Sequence, residues 1–350
     1  MRRLLLLVLL LVAPALKAQP LTLHALVDST HAAGRFDGAV LVFDGQRTMA
    51  ATAGFADREA RTPWTLATRS PWASVSKLIT ASLVLRHVEA GRLRLDDDAR
   101  AWLPALRTGP KTTLRHLLAH MSGLATGSDV ENLYDRATLA ATRAAMDSVL
   151  AGPRRDAPGA SWRYNNLDYI AMERLVADVE GRPYASAVTQ RLLRPLGLRS
   201  VQMGEGGQTV GYAVDSTGAA TPVRLSANVL AGFGAAGGFV GDVRDLLRLG
   251  RALADGRLLS PALRDTLTAA LPNARSALSV WTYEAETHDG RRVRVIERQG
   301  WIAGNRALLL VVPETGSVVA VLANTDVSDL GSTASGEGFS AALLGLALRR

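Results

Sequence analysis

Ser74-Val75-Ser76-Lys77 sets a hydroxyl and an amine three residues apart. On a helix that spacing puts both on one face, within reach of each other. A serine hydroxyl attacks a carbonyl carbon effectively only when a neighbouring base takes its proton. A lysine serves as that base when burial or nearby positive charge lowers its pKa. If the pair opens a helix, the positive end of the helix dipole favours the developing anion. The same residues also read as a plain helix start, with Ser74 as N-cap and Lys77 on the surface, and the spacing alone does not separate the two. Lysine usage favours the chemical reading. Lysine occurs only at 17, 77 and 111, and the other 37 of the 40 cationic side chains are arginine. A buried lysine can be neutral near pH 7, whereas an arginine cannot.

Two further segments carry usable groups. Tyr164-Asn165-Asn166 precedes a helical pattern: a tyrosine can relay a proton and an asparagine can hold a substrate amide, although Asn-Asn before a helix is also ordinary capping. Arg298-Gln299-Gly300-Trp301 falls at the end of a predicted strand. A glycine there admits a substrate backbone, and a strand edge offers N–H groups to an oxyanion. Other patterns have plain structural readings. Gly232, Gly234 and Gly237 fit G-x-G-x-x-G without a surrounding βαβ unit, so they read as a glycine-rich loop. His116 and His120 stand four apart but lack an acidic third ligand in a zinc-protease context. No G-x-S-x-G is present.

The elements that must position these groups follow from periodicity. Gly38–Phe43 reads as a buried strand, Asp44-Gly45 as a turn, and Thr48–Phe55 as a second strand. Helical patterns cover 25–33, 74–89, 113–119, 137–150, 167–180, 184–193 and 243–254. Strand character returns at 279–286 and 291–298 around Asp289-Gly290, a two-residue hairpin signal. A second hairpin joins 307–312 to 317–324, and a last helix spans 338–348. Strands at both ends with helices between predict an α/β (α+β) fold: an antiparallel sheet built from the two chain ends, flanked by helices, with a mainly helical inserted region. The expected division is a sheet lobe at about 24–68 and 275–350 and a helical lobe at about 69–274.

Arg2 and Arg3, the apolar run Leu4–Val12 and small residues at Ala13, Ala15 and Ala18 have the layout of a secretory signal peptide over residues 1–18, cleaved after Ala15 or Ala18. The run is too short for a permanent span, so the mature chain is expected to be periplasmic or secreted without a transmembrane anchor. With Arg2, Arg3 and Lys17 removed, the formal charge falls from +8 to +5. The cations are scattered and not interleaved with aromatics, which argues against nucleic-acid binding. Zero cysteines exclude disulfides, thiolate metal sites, cysteine nucleophiles and a lipidated cysteine.

Jointly, the three segments resemble the active-site set of the serine β-lactamases and DD-peptidases, of which S-x-x-K is the first motif. FDGAVLVFDG, ASVSKLITASLVLRHVEAGRLRLDD, TLRHLLAHMSGL, PGASWRYNNLDYIAMERLVADVEGRPY and AAGGFVGDVRDLLRLGRAL are similar to segments of the class C β-lactamase-like branch, across about residues 24–345. That branch includes DD-carboxypeptidases, D-aminopeptidases and esterases. The resemblance implies Ser74 as nucleophile, Lys77 as its base, Tyr164 as partner acid/base and Asn166 as a ligand for substrate and Lys77. It also implies an oxyanion hole made by the backbone N–H groups of Ser74 and Trp301. Arg298, Gln299 and Gly300 would touch substrate. The chain departs from the family at two of these: Arg298 stands where lysine or histidine is usual, and Gln299 where threonine or serine is. Arginine can bind a carboxylate bidentately but cannot deliver a proton, so Arg298 is expected to line the cleft as an anion clamp. The implied activity is cofactor-free hydrolysis of ester or amide bonds through an acyl-enzyme, by an esterase or D-amino-acid peptidase with small-molecule or cell-wall-derived peptide substrates. A true β-lactamase and a catalytically silent cell-wall-binding protein are the alternatives. If position 77 needs a removable proton, Lys77→Arg lowers kcat at least about a hundredfold; near-normal turnover in a folded variant excludes Lys77 as base.

Overall fold

Strands from the two ends of the chain pair with each other. The computed structural model describes residues 22–349 apart from 107–108, 126–137, 205–206, 329 and 331–332; the predicted signal segment lies outside them. Among the described residues the main sheet has six strands: β1 (Gly38–Phe43), β2 (Thr48–Ala53), β3 (Trp281–Glu286), β4 (Arg292–Ile302), β5 (Asn305–Val312) and β6 (Ser317–Ala323). Their order is β3-β4-β5-β6-β1-β2, every neighbour antiparallel. The join between the two ends is β1 on β6, running from Gly38 opposite Ala323 to Phe43 opposite Val318.

Central strands of this sheet are apolar at nearly every position because both faces are covered. Ala39 and Leu41 of β1, with Leu309 and Val311 of β5 and Val318, Ala320 and Leu322 of β6, face the helical region. The alternate residues Val40, Val42, Leu308, Leu310, Val319 and Val321 face a smaller core. That second core is closed by α1 (Leu23–Ala32) and by α6 (Gly338–Ala347) from the far end of the chain.

On the other face lie α2 (Ser76–Glu89), α3 (Asn166–Glu180), α4 (Ala227–Gly237) and α5 (Val243–Ala254). Val243, Leu246, Leu249, Ala252 and Leu253 give α5 one apolar stripe against the sheet. α2 is different: every residue from Ser76 to Leu85 is buried, so it threads the helical region as a central pillar. Thr80 is satisfied inside it, with Oγ1 at 2.7 Å from Tyr184 OH and 2.9 Å from the Ala235 carbonyl.

Several boundaries differ from the sequence reading. A 3-10 turn, Ala73–Val75, precedes α2, so Ser74 sits on a tight turn rather than in the helix. The predicted second strand breaks at Gly54, whose φ of +72° redirects the chain. Residues 184–193 change from α-helix to π-helix at Thr189. The turn at Asp289-Gly290 has three residues, since Thr287 N–H donates to the Arg291 carbonyl and Gly290 supplies φ +82°. The strand from Arg292 continues to Ile302 instead of ending at Arg298. Helix α4 and the helix Pro261–Thr268 were not anticipated, nor was a small sheet of Ser70–Pro71, Gln202–Met203 and Phe239–Gly241.

Closure of the sheet depends on Gly38. A Cβ there would lie 2.2 Å from the Leu322 carbonyl oxygen, which is backbone and cannot rotate away. Gly38→Ala is therefore expected to lower stability by about 1–3 kcal/mol. Gly345→Ala, on an exposed helical position with open space, should raise it by up to about 1 kcal/mol. Urea unfolding of both variants checks the opposite signs.

Candidate active site

Ser74 is brought to the surface by strain immediately before it. Ala73 holds φ at +44°, a left-handed conformation that non-glycine residues rarely adopt. The turn is anchored from both sides: Trp72 N–H donates to the Phe239 carbonyl at 2.8 Å, and the Trp72 ring is fully buried. β4 comes against this turn at Gly300, where a Cβ would lie 2.3 Å from Trp72 O and 3.1 Å from Ser74 N. Only glycine permits that approach.

Lys77 lies one turn along α2 and is fully buried. Its Nζ donates to Asn166 Oδ1 and to the Ala236 carbonyl, each at 2.7 Å, and stands 3.1 Å from Ser74 Oγ. Burial is the main force lowering its pKa to about 8, and the charge of Arg298 assists while Tyr164 opposes. A neutral amine keeps two hydrogens. The two short contacts use both, which aims the lone pair at Ser74. Tyr164 O–H donates to Ser74 Oγ at 2.6 Å from the opposite side. Burial pushes its phenol up, but Lys77, Arg298 and the bonds from Lys77 and Ser74 outweigh that and bring it to about 8. Lys77 and Tyr164 form one coupled pair, so loss of a single proton from it supplies a base beside the hydroxyl.

Arg298 departs from its expected place. Because β4 continues past it, Arg298 alternates onto the same face as Gly300, toward the helices, and is 1% exposed. Nε donates to the Ser74 carbonyl at 2.7 Å, Nη1 to the Ser279 carbonyl at 2.7 Å and Nη2 to Tyr164 OH at 2.9 Å. All three nitrogens serve the protein, so Arg298 braces the turn bearing Ser74 and the tyrosine and is not an open anion clamp. Gln299 points to the other face, where its amide donates to Glu297. Trp301 follows Gly300 on a stretch of β4 that β3 leaves uncovered, since the β3 pairing stops at Glu297. Asn166 opens α3, and Asn165 caps it by accepting Leu167 N–H at 2.9 Å.

Three supports were missed by sequence reasoning. His120 and Asp168 are fully buried, with Nδ1 3.2 Å from Oδ2, and the His120 ring lies 4.4 Å from that of Tyr164. Burial drives the Asp168 carboxyl well above its usual range; burial, with the charges of Lys77 and Arg298, holds His120 well below. Burial thus disfavours the charged form of each member of the pair. Ser122 completes the group by donating to Asp168. Glu173 accepts Ala235 N–H at 2.8 Å and so fixes the backbone that presents the Ala236 carbonyl to Lys77. Gly234, in the glycine-rich segment, has φ +44°, and a Cβ there would strike Glu173. Ser279 offers its carbonyl to Arg298 from a φ of +76°. The available signal was weak: Asp168 is an acid amid the apolar face of a predicted helix. Among the described residues no group of three His, Asp or Glu side chains converges as a metal site; His116 instead caps its own helix with Thr113.

An antiparallel sheet closed by both chain ends, with Ser-x-x-Lys on a turn between a tyrosine and a sheet-edge glycine, defines the class of penicillin-recognising folds. The chain belongs to the Beta-lactamase family, whose profile matches residues 23–339. It is 34% identical over 198 residues to Esterase EstB of Burkholderia gladioli, covering 51% of this chain and 50% of that one. The chain thus spans about half the length of the curated relatives it matches. A D-stereospecific amidohydrolase from Streptomyces superposes with a TM-score of 0.71 at 26% identity, over 87% of this chain and 95% of that one. The octameric penicillin-binding protein homologue of Pyrococcus abyssi shares the fold, with a TM-score of 0.75 at 21% identity over 92% and 76% of the two chains.

The coupled pair sets a pH dependence. Below about 8 both Lys77 and Tyr164 hold their protons, so any reactivity of Ser74 is expected to rise with pH and to level once one proton is lost. Arg298 lowers both groups; removing its charge raises both. The rate of Ser74 modification by a fluorophosphonate should therefore shift its rising limb to higher pH in Arg298→Gln, while Arg298→Lys retains more of the parent profile. An unmoved limb in Arg298→Gln would show that the guanidinium does not tune the pair.

Proposed function

We propose that this chain is a serine hydrolase that cleaves esters or amides through an acyl-enzyme on Ser74, acting as an esterase or a D-amino-acid peptidase. The observation that carries the reading is Lys77: a fully buried amine, its pKa lowered to about 8, with its lone pair directed at a hydroxyl on a strained turn. A purely structural lysine would not be held in that state beside a partly exposed serine.

In the proposed cycle, Ser74 Oγ attacks the substrate carbonyl as Lys77, coupled to Tyr164, takes its proton. Backbone N–H groups of Ser74 and Trp301 hold the oxyanion, which preorganised donors stabilise strongly. Tyr164, 2.6 Å from Ser74 Oγ, delivers the proton to the departing alcohol or amine. Water then attacks the acyl-enzyme with the same groups in reverse, so ester or amide plus water gives acid plus alcohol or amine. Asn166 holds Lys77 and is available to a substrate amide. Arg298 acts through Ser74 and Tyr164 as a positioning residue.

The similarity to an esterase supports ester substrates, and that to a D-stereospecific amidohydrolase supports amides of D-configured residues, including cell-wall-derived peptides. The signal-like segment over residues 1–18 supports action outside the cytoplasm; no helix among the described residues is long and apolar enough to cross a membrane. A fluorophosphonate should label the protein once, and Ser74→Ala should abolish both labelling and turnover of p-nitrophenyl acetate. Labelling that persists, or maps to Ser76 or Ser122, overturns the assignment. Turnover compared on p-nitrophenyl esters, D-Ala-D-Ala peptides and a chromogenic cephalosporin ranks the substrate classes.

A further inference from the structure

One of the two acceptors that orient Lys77 is main chain, the Ala236 carbonyl at 2.7 Å. A backbone carbonyl can aim an amine only if the backbone itself is held. α4 gives no such hold there, because its helix breaks at Gly234, where φ is +44° and ψ −128°. The peptide units beyond the break are pinned from outside. Ala235 N–H donates to Glu173 Oε2 at 2.8 Å, the Ala235 carbonyl accepts from Thr80 Oγ1 at 2.9 Å, and Phe239 N–H donates to Ser76 Oγ at 3.2 Å. Thr80 and Ser76 stand on α2 with Lys77. Glu173 stands on α3, the helix that begins with Asn166, the other acceptor of Lys77. Both acceptors of the amine are thereby referred to one helix.

A buried carboxylate is a demanding way to hold one amide. The Glu173 side chain is only 13% exposed, and burial raises its pKa. The charged and titratable groups facing it are Arg143, half-exposed at 3.3 Å on the helix Leu139–Leu150, and Tyr184 from the next helix. Such a pair is weak evidence for a stabilising role. The surroundings are nevertheless shaped to admit the carboxylate. Gly234 leaves room for it, since a Cβ there would strike Oε2. A cavity of about 260 Å³ adjoins it, lined also by Met146, Ile170, Met203 and Ala231.

We propose that Glu173 is a positioning residue of the reaction: through Ala235 and Ala236 it keeps the Lys77 lone pair aimed at Ser74. The proposal rests on the serine-hydrolase reading and adds a residue that never touches the reacting atoms. Lys77 is also faced by Tyr164, Arg298, Asp168, His120 and the Tyr169 ring, which the variants leave in place. In Glu173→Ala, kcat for p-nitrophenyl acetate should fall about tenfold to a hundredfold with KM little changed, the scale of a small misplacement. The bond to the Ala236 carbonyl favours the charged amine, so weakening it lowers the Lys77 pKa. The rising limb of the fluorophosphonate rate should then move to lower pH, opposite to Arg298→Gln. Glu173→Gln keeps an oxygen for Ala235 N–H and should retain most of the parental rate and limb. Formate, entering the adjoining cavity, should restore part of the Glu173→Ala rate where chloride at equal ionic strength does not. The limb is read on the reactive fraction of each variant, so partial misfolding does not mimic its shift. Three results overturn the role: parental rate and limb in Glu173→Ala; a limb moved to higher pH, as water reaching the amine would cause; or a loss in Glu173→Gln as large as in Glu173→Ala. Absence of both turnover and fluorophosphonate labelling in the parent overturns the hydrolase reading, and this role with it.

Discussion

Burying an ammonium group is the constraint around which this structure is arranged. Removed from water, Lys77 is tolerable only if each N–H finds an acceptor and the charged form can be surrendered. Two acceptors come from distant segments, Asn166 at the start of α3 and the Ala236 carbonyl at the end of α4. Each is secured in turn. Asn165 caps α3, Glu173 grips the Ala235 amide, and Thr80 holds the Ala235 carbonyl. The burial of α2 from Ser76 to Leu85 follows from the same need, because a pillar exposed there on one side would let water reach the amine.

Positive charge is kept near this amine deliberately enough to be felt, yet never in contact with it. Arg298 depresses both Lys77 and Tyr164 while bonding to Tyr164, Ser74 and Ser279. Since arginine does not titrate in the working range, this bias is constant with pH. Burial disfavours charge on His120 and on Asp168 beside them. Backbone strain is concentrated at the same place: Ala73, His120 and Ser279 all hold positive φ within the shell around Ser74 and Tyr164. Strain of this kind persists only where neighbours over-determine the conformation, and here the surrounding contacts do so.

Much of this was legible in the sequence. Ser74, Lys77 and Tyr164 are chemistry-bearing types at recognisable spacings, and the structure brings their side chains to within 3.1 Å of one another at Ser74 Oγ. The sheet formed from both ends followed from where β-character lies along the chain. Arg298 was misplaced because facing along a strand depends on where the strand ends. Taking it to stop at Arg298 left the side chain free to enter the cleft, whereas continuation to Ile302 commits it to the Gly300 face. Helix α4 escaped notice because its run of Gly and Ala carries almost no periodic signal. The roles of Glu173, His120 and Asp168 were not legible, beyond the weak signal of an acid at 168 on an apolar helix face: they arise from burial between segments tens of residues apart.

The pairing of β1 with β6 joins residue 38 to residue 323, and its consequence is temporal. Contacts this distant in sequence form late, after the cost of closing a long loop has been met. The turn bearing Ser74 is pressed into place by Gly300, and the amine beside it is tuned by Arg298. A partly folded chain that has formed only the helical region therefore lacks the strand that presses the Ser74 turn into place and the Arg298 charge that helps burial to lower Lys77. The geometry around Ser74 is thus complete only once β4 has docked against its turn.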